Sequence, residues 1–290
     1  MMSKILVTGA SGKLGTLVIR HLLKTENVAP GNIVAASRDP AKLAALQSEG
    51  VETRRADFTD PGSLSEAFKG IDRLLIISTD AIGSRVPQHE AAVAGAIKAG
   101  VTRLFYTSMF SPETSKVSFA PEHQASEAAI KASGLAYSIF RNGWYMENLF
   151  NGLPAALASG NWYNAAGEGG TSYIARDDIA RAMAAELANP ADQSTIYTLS
   201  GGHAYSKAEI AALARTITGK PLAVVDVTEE QLAGGLKAAG IPEAFIPVIV
   251  SVEAATRAGN LATVTPDAEK LARTPLQSLK DFLEANKAAL

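Results

Sequence analysis

Residues Thr8 to Gly15 read Thr-Gly-Ala-Ser-Gly-Lys-Leu-Gly, between an aliphatic run that begins at Lys4 and a helical pattern over 13–24. Glycines in that context allow a tight turn, close approach of the backbone to phosphate, and close packing of the helix on the strand. The helix N-terminus adds amides and partial positive charge for an anion. Gly9, Ala10, Ser11, Gly12, Lys13 and Leu14 are therefore read as the pyrophosphate turn of a dinucleotide site; the alternative is a strand-to-helix turn with incidental glycines. The second strand ends Ser37-Arg38-Asp39-Pro40 and has no acidic residue to chelate ribose hydroxyls. Arg38 is the natural partner of a 2′-phosphate, which favours NADP(H) over NAD(H). Asp39, directly before Pro40, reads as a helix cap rather than a ribose ligand.

Other polar residues fall at later strand ends, where ligands sit in such sheets. Asp57 could accept the adenine amino group, with Phe58 bordering the ring; a helix-flanking carboxylate beside a core Phe is the alternative. Ser78, Thr79, Thr107 and Ser108 could contact ribose and the nicotinamide half. Asn142-Gly143-Trp144-Tyr145 follows the sixth strand, so Asn142 could pair with the carboxamide or line the ribose, and Gly143 permits close approach. Trp144 and Tyr145 are read as the stacking surface for a flat aromatic acceptor. Trp162 reads as packing between lobe and sheet. None of the seven tyrosines has a Lys four positions on, so the usual Tyr/Lys dyad for proton transfer at a hydroxyl is absent. Of the four histidines, His123 leaves two readings open: a general acid suited to neutral pH, or a helix-start residue bonded to backbone. His89, inside a helical pattern, reads as structural. The chain has no Cys and no metal-ligand spacing of His, so neither a thiol nucleophile nor a metal site is expected.

The elements that must position these residues alternate. Strand patterns at 4–8, 32–37, 51–56, 73–78, 103–108 and 136–141 are separated by helical patterns near 13–24, 40–49, 61–69, 85–99 and 120–133. Single helices between strands force parallel pairing and a doubly wound α/β sheet of Rossmann type. Asp39-Pro40 and Asp60-Pro61 each place a capping carboxylate before a first-turn Pro, and Gly50, Gly100 and Gly134 close helices as left-handed caps. From 142 the alternation loosens into helices with short strands at 195–199 and 222–227, and 227–259 reads as helical. The expected division is a dinucleotide-binding domain over 1–141 and a smaller, mostly helical, substrate-binding lobe over 142–290, interleaved with the end of the sheet. The 290 residues carry 27 Lys plus Arg against 29 Asp plus Glu, a net charge of −2, which gives no electrostatic footprint for nucleic acid. No apolar stretch reaches the roughly 18 residues of a membrane span, and a cytoplasmic location is expected.

The glycine turn, Pro87-Gln88-His89, Tyr106-Thr107-Ser108, Glu122-His123 running into Ser133-Gly134, and Phe140-Arg141-Asn142-Gly143-Trp144-Tyr145-Met146-Glu147-Asn148 together resemble the NmrA-like atypical short-chain reductases, over nearly the whole chain. Within that family the sequence is most similar to the bacterial quinone reductase and triphenylmethane-dye reductase branches. The resemblance implies hydride transfer from NADPH to a quinone or another conjugated acceptor. It also implies an alternative from a different class, an NADP(H)-binding redox sensor without turnover. Members of the isoflavone reductase branch carry a Lys near the place of His123, a departure that bears on the proton donor.

Overall fold

Residues 3–290 are described by the computed structural model. Each apolar run of the first half forms a strand and each intervening pattern a helix: β1 (Ile5–Val7), α1 (Lys13–Lys24), β2 (Ile33–Ser37), α2 (Ala44–Ser48), β3 (Glu52–Arg55), α3 (Pro61–Ala67), β4 (Arg73–Ile76), α4 (Arg85–Ala99), β5 (Arg103–Met109), α5 (Ala120–Ala132) and β6 (Ala136–Asn142). The expected caps form. Asp60 accepts from the amides of Gly62 and Ser63, Asp39 accepts from that of Ala41, and Gly50, Gly100 and Gly134 sit at φ +87°, +76° and +75°. Then follow α6 (Leu153–Ser159), β7 (Asn161–Asn164), β8 (Gly170–Thr171), α7 (Arg176–Ala188), β9 (Thr195–Leu199), β10 (Tyr205–Ser206), α8 (Lys207–Thr218), β11 (Ala223–Asp226), α9 (Glu229–Ala238), α10 (Ile246–Arg257), α11 (Asp267–Ala272) and α12 (Leu279–Ala285).

Seven strands form one parallel sheet in the order β3-β2-β1-β4-β5-β6-β9. The order reverses between β1 and β4, the place where a doubly wound sheet opens a crevice at its carboxyl edge. Side chains alternate between two cores. Val7, Ala35, Leu75, Phe105 and Phe140 pack under α1, α7 and α11. Leu6, Val34, Leu74, Leu104, Tyr106 and Ile139 pack under α3, α4 and α5. The opposite edge is closed by two arginines: Arg73 donates to the carbonyls of Leu187 and Ala188 at the end of α7, and Arg103 to those of Ala191 and Asp192.

The second half of the chain completes the first. β9 pairs with β6, and α7 packs on α1, so the dinucleotide-type unit draws a strand and helices from beyond residue 141. The remaining segments build the lobe around Met146, Leu153, Leu157, Ile210, Ala214, Leu279 and Phe282, with β7 parallel to β11 and β8 antiparallel to β10. Among the described residues, no helix is long and apolar enough to cross a membrane.

Candidate functional site

The glycine turn lies at the switch point because Thr8 ties the two central strands together. Its hydroxyl donates to the Leu75 carbonyl at 3.0 Å and accepts from the Ile77 amide at 3.0 Å. Gly9 takes φ +60°, a conformation a side chain would strain. At Gly15 the requirement is space: a Cβ there would overlap the Gly9 carbonyl and lie 2.9 Å from Ala10 Cα. α1 then starts at Lys13 without a side-chain cap, leaving its first amides to face outward with exposed Ser11, Gly12 and Lys13. Ala10 and Leu14 are buried and anchor the turn, the Ala10 amide donating to the Ala36 carbonyl at 3.0 Å. Ser37, which the sequence does not single out, joins the turn to β2 through a 3.0 Å contact with the Ser11 hydroxyl.

Arg38 follows directly on β2, exposed and, among the described residues, without an ion pair. Its charge reaches Asp57, whose carboxylate is held below the usual range chiefly by the amide and hydroxyl of Thr59, at 3.0 and 2.7 Å. Arg38 and an ionised Asp57 thus border the same end of the crevice.

On the other side of β1, Thr107 Oγ1 accepts from the Ser78 amide at 2.8 Å and donates to Ser78 Oγ at 3.2 Å, leaving the Ser78 proton free for a ligand. Thr79 is more committed than its place at a strand end suggests. Its amide donates to His89 Nε2 at 3.2 Å and its hydroxyl to Gln88 Oε1 at 3.0 Å, so Thr79 has no proton left to donate and can meet a ligand only as an acceptor. Because His89 Nε2 accepts, its proton is on Nδ1, which donates to Ser126 Oγ at 2.8 Å. Arg85 Nη1 donates to His123 Nε2 at 3.1 Å, which places the His123 proton on Nδ1, bonded to the Tyr106 hydroxyl at 2.9 Å. Burial, then the nearby Arg85 charge, pushes His89 down to about 4 and His123 down to about 3. His123 is 5% exposed, neutral at physiological pH and bonded through both ring nitrogens.

Asn142 ends β6 at 8% exposure, and neither its Oδ1 nor its Nδ2 has a hydrogen-bond partner among the described residues. Burial pushes the nearby Tyr145 hydroxyl up, against the opposing pull of Arg176 and of Asn142, and no well-formed bond joins Asn142 to that hydroxyl. A buried amide with all its groups unpaired costs a few kcal/mol unless a ligand meets it. A Cβ at Gly143 would lie 2.9 Å from Phe110 Cζ, so the backbone there is pressed between neighbours. Trp144 and Tyr145 diverge. Tyr145 pairs with Ile174, lies beneath the Arg176 guanidinium at 4.6 Å and packs on the core under α1 and α7. Trp144 turns into the lobe, where with Trp162, Tyr173, Tyr205, Lys207 and Glu253 it lines a cavity of about 40 Å³. Lys207 spans that cavity, its ammonium 5.3 Å from the Trp162 ring and 2.8 Å from Glu253.

A glycine turn at the switch point, an arginine after β2 and an unpaired amide at the end of β6 thus lie along the carboxyl edge of one doubly wound sheet. The NmrA-like family model matches residues 1–282. The chain belongs to the NmrA-like family. It is 35% identical to quinone oxidoreductase 2 of Escherichia coli (strain K12) over 277 residues, 96% of each chain. In three dimensions it matches the E. coli NADPH-dependent quinone oxidoreductase complexed with NADPH with a TM-score of 0.94 at 34% identity, over 98% of this chain and 99% of that one. It matches the Citrobacter sp. triphenylmethane reductase complexed with NADP(H) with a TM-score of 0.91 at 33% identity, over 99% and 100% of the two chains.

In this member of the NmrA-like family the fold gathers the glycine turn, Arg38, Asp57, Ser78 and Asn142 along one edge of the sheet. It turns Thr79 and His123 into a buried polar network under α4 and α5, and it separates Trp144 from Tyr145.

Proposed function

We propose that the chain is an NADPH-dependent oxidoreductase that reduces quinones or similar conjugated acceptors, working in the cytoplasm, with the segment 142–290 supplying the acceptor side. The observation that carries this reading is the buried, unpartnered carboxamide of Asn142 at the carboxyl end of β6. It suits the nicotinamide carboxamide, which offers a complementary donor and acceptor. The rest of the crevice fits the same group: the uncapped start of α1 suits the pyrophosphate, Arg38 the 2′-phosphate, and Asp57 the adenine amino group. Relatives whose names record NADPH-dependent quinone reduction and NAD(P)H azo reduction support the acceptor class.

The chemistry supplied by bound NADPH is hydride donation to the acceptor ring. The chain's own part is positioning. Asn142 and Ser78 fix the nicotinamide half, and Trp144, two residues on from Asn142, faces the lobe that supplies the acceptor side. His123, neutral and engaged at both nitrogens, holds the Tyr106 hydroxyl and Arg85 in place, and the proton that completes the product comes from water. The test is NADPH oxidation followed by absorbance with a panel of quinones, alongside NADPH binding. Turnover with several quinones is expected; tight NADP(H) binding with no turnover on any acceptor would overturn the reductase reading in favour of a redox sensor.

A further inference from the structure

α5 is joined to β5 by two polar pairs. His123 and Glu127 are one helical turn apart, Tyr106 and Ser108 lie two apart on one face of the strand, and the pairs meet at 2.9 Å and 2.7 Å. The first pair belongs to the network already described. The second does not end at Ser108. The Glu127 side chain is 2% exposed and accepts four bonds: Ser108 Oγ at 2.7 Å, Arg141 Nε at 2.9 Å, Arg141 Nη2 at 2.7 Å and Lys131 Nζ at 2.9 Å. Burial alone would push its carboxyl up, but the bonds from Arg141, Ser108 and Lys131 outweigh burial and hold it below the usual carboxylate range. Arg141 is further paired with Glu113 of the loop between β5 and α5.

A charged carboxylate is not buried to this degree without a compensating set of bonds, and a fork of two parallel bonds to an arginine fixes direction as well as distance. Arg141 is the residue before Asn142, and in the register of the sheet Ser108 faces Arg141 while Met109 faces Asn142. Side chains alternate along a strand, so Arg141 and Asn142 leave β6 on opposite faces. A clamp on one therefore sets the backbone rotation that aims the other. The amide it aims has no partner of its own to hold it.

We propose that Glu127 is a positioning residue for the nicotinamide half of the cofactor, acting through Arg141 on the direction of the Asn142 carboxamide. This rests on the cofactor reading above, and it separates two ends of the site. The pyrophosphate turn and Arg38 are built on β1, α1 and β2, none of which touches the clamp, so the adenosine half is indifferent to Glu127.

The experiment compares the binding of NADPH with that of 2′-phospho-ADP-ribose, which lacks the nicotinamide ring, to the full chain and to Glu127→Gln. The substitution keeps size and polarity but removes the charge that makes the fork. NADPH affinity is expected to fall about tenfold and 2′-phospho-ADP-ribose affinity less than about twofold. In an Asn142→Ala background, Glu127→Gln is expected to cost NADPH little further affinity, because the group it aims is gone. Should Glu127→Gln fail to fold, Ser108→Ala removes one of the four bonds and carries the same comparison, with a loss for NADPH of about threefold. Equal losses for the two ligands, or additive losses in the double variant, would overturn the inference. A wild-type chain that binds neither ligand would overturn the cofactor reading itself, and this inference with it.

Discussion

At the scale of single residues, the proposed choice of NADPH over NADH rests on Arg38, which is exposed just after β2 with no ion pair among the described residues to occupy it. Replacing it with Ala is expected to weaken NADPH binding by about 1.5–3 kcal/mol, the range for a charge-assisted hydrogen bond, and to leave NADH nearly unchanged. Titration calorimetry with both cofactors checks this, and equal losses would show that Arg38 serves the fold. The structure also divides Trp144 from Tyr145, which the sequence treats as one stacking surface. Trp144→Ala is expected to raise the Michaelis constant for quinones about threefold to tenfold with little effect on NADPH binding, because it faces the lobe cavity. Tyr145→Ala is expected to lower thermal stability by about 2 kcal/mol and to weaken NADPH binding, since its ring packs on the core and stands beside Asn142. Steady-state kinetics and melting curves for the two variants separate these outcomes; the reverse pattern would place the acceptor at Tyr145.

At the scale of elements, the β1-turn-α1 unit works by close approach rather than by side chains. Gly15 sits where the first turn of α1 crosses the backbone of Gly9 and Ala10, and a Cβ has no direction in which to yield because all its neighbours are main chain. Gly15→Ala is expected to destabilise the protein by about 2 kcal/mol and to weaken NADPH and 2′-phospho-ADP-ribose alike, since it displaces the glycine turn proposed to hold the pyrophosphate. Thermal unfolding and ligand titration read both effects. Wild-type stability and affinity in this variant would mean that the turn can open, and that it is not the rigid part of the site.

At the scale of the whole molecule, the polar network between the sheet and α4 and α5 makes stability depend on pH. Burial holds His89 down to about 4 and His123 down to about 3 in the folded protein, below the ordinary imidazole value of about 6.5, so the unfolded chain takes up protons first as the pH falls. The stability they contribute is complete above about pH 6.5 and is lost progressively toward those folded values, amounting by pH 5 to about 2 kcal/mol for each histidine. The melting temperature should therefore drop between about pH 7 and about pH 5, and His89→Gln, less stable at neutral pH, should show a shallower drop. A melting temperature flat across that interval would show that the two rings are not buried as neutral groups.

What the sequence by itself determined is the part of the protein governed by neighbours a few residues apart. The alternation of strand and helix, the Asp-Pro caps, the left-handed glycines and the glycine turn all follow from local backbone rules, and the six strands of the first half form where their apolar runs lie. Tertiary structure alone decided what each polar group at a strand end is free to do. Thr79 is committed to Gln88 and His89, His123 to Tyr106 and Arg85, and Ser108 to Glu127. Tyr145 is drawn to Ile174 while Trp144 turns away, and β9 crosses half the chain to finish the sheet. Most of these partners lie on other elements, and a hydrogen bond is fixed by distance and angle in space. The residue types could therefore announce a dinucleotide crevice, whereas only the packed molecule could show which of their atoms remain open to the ligand.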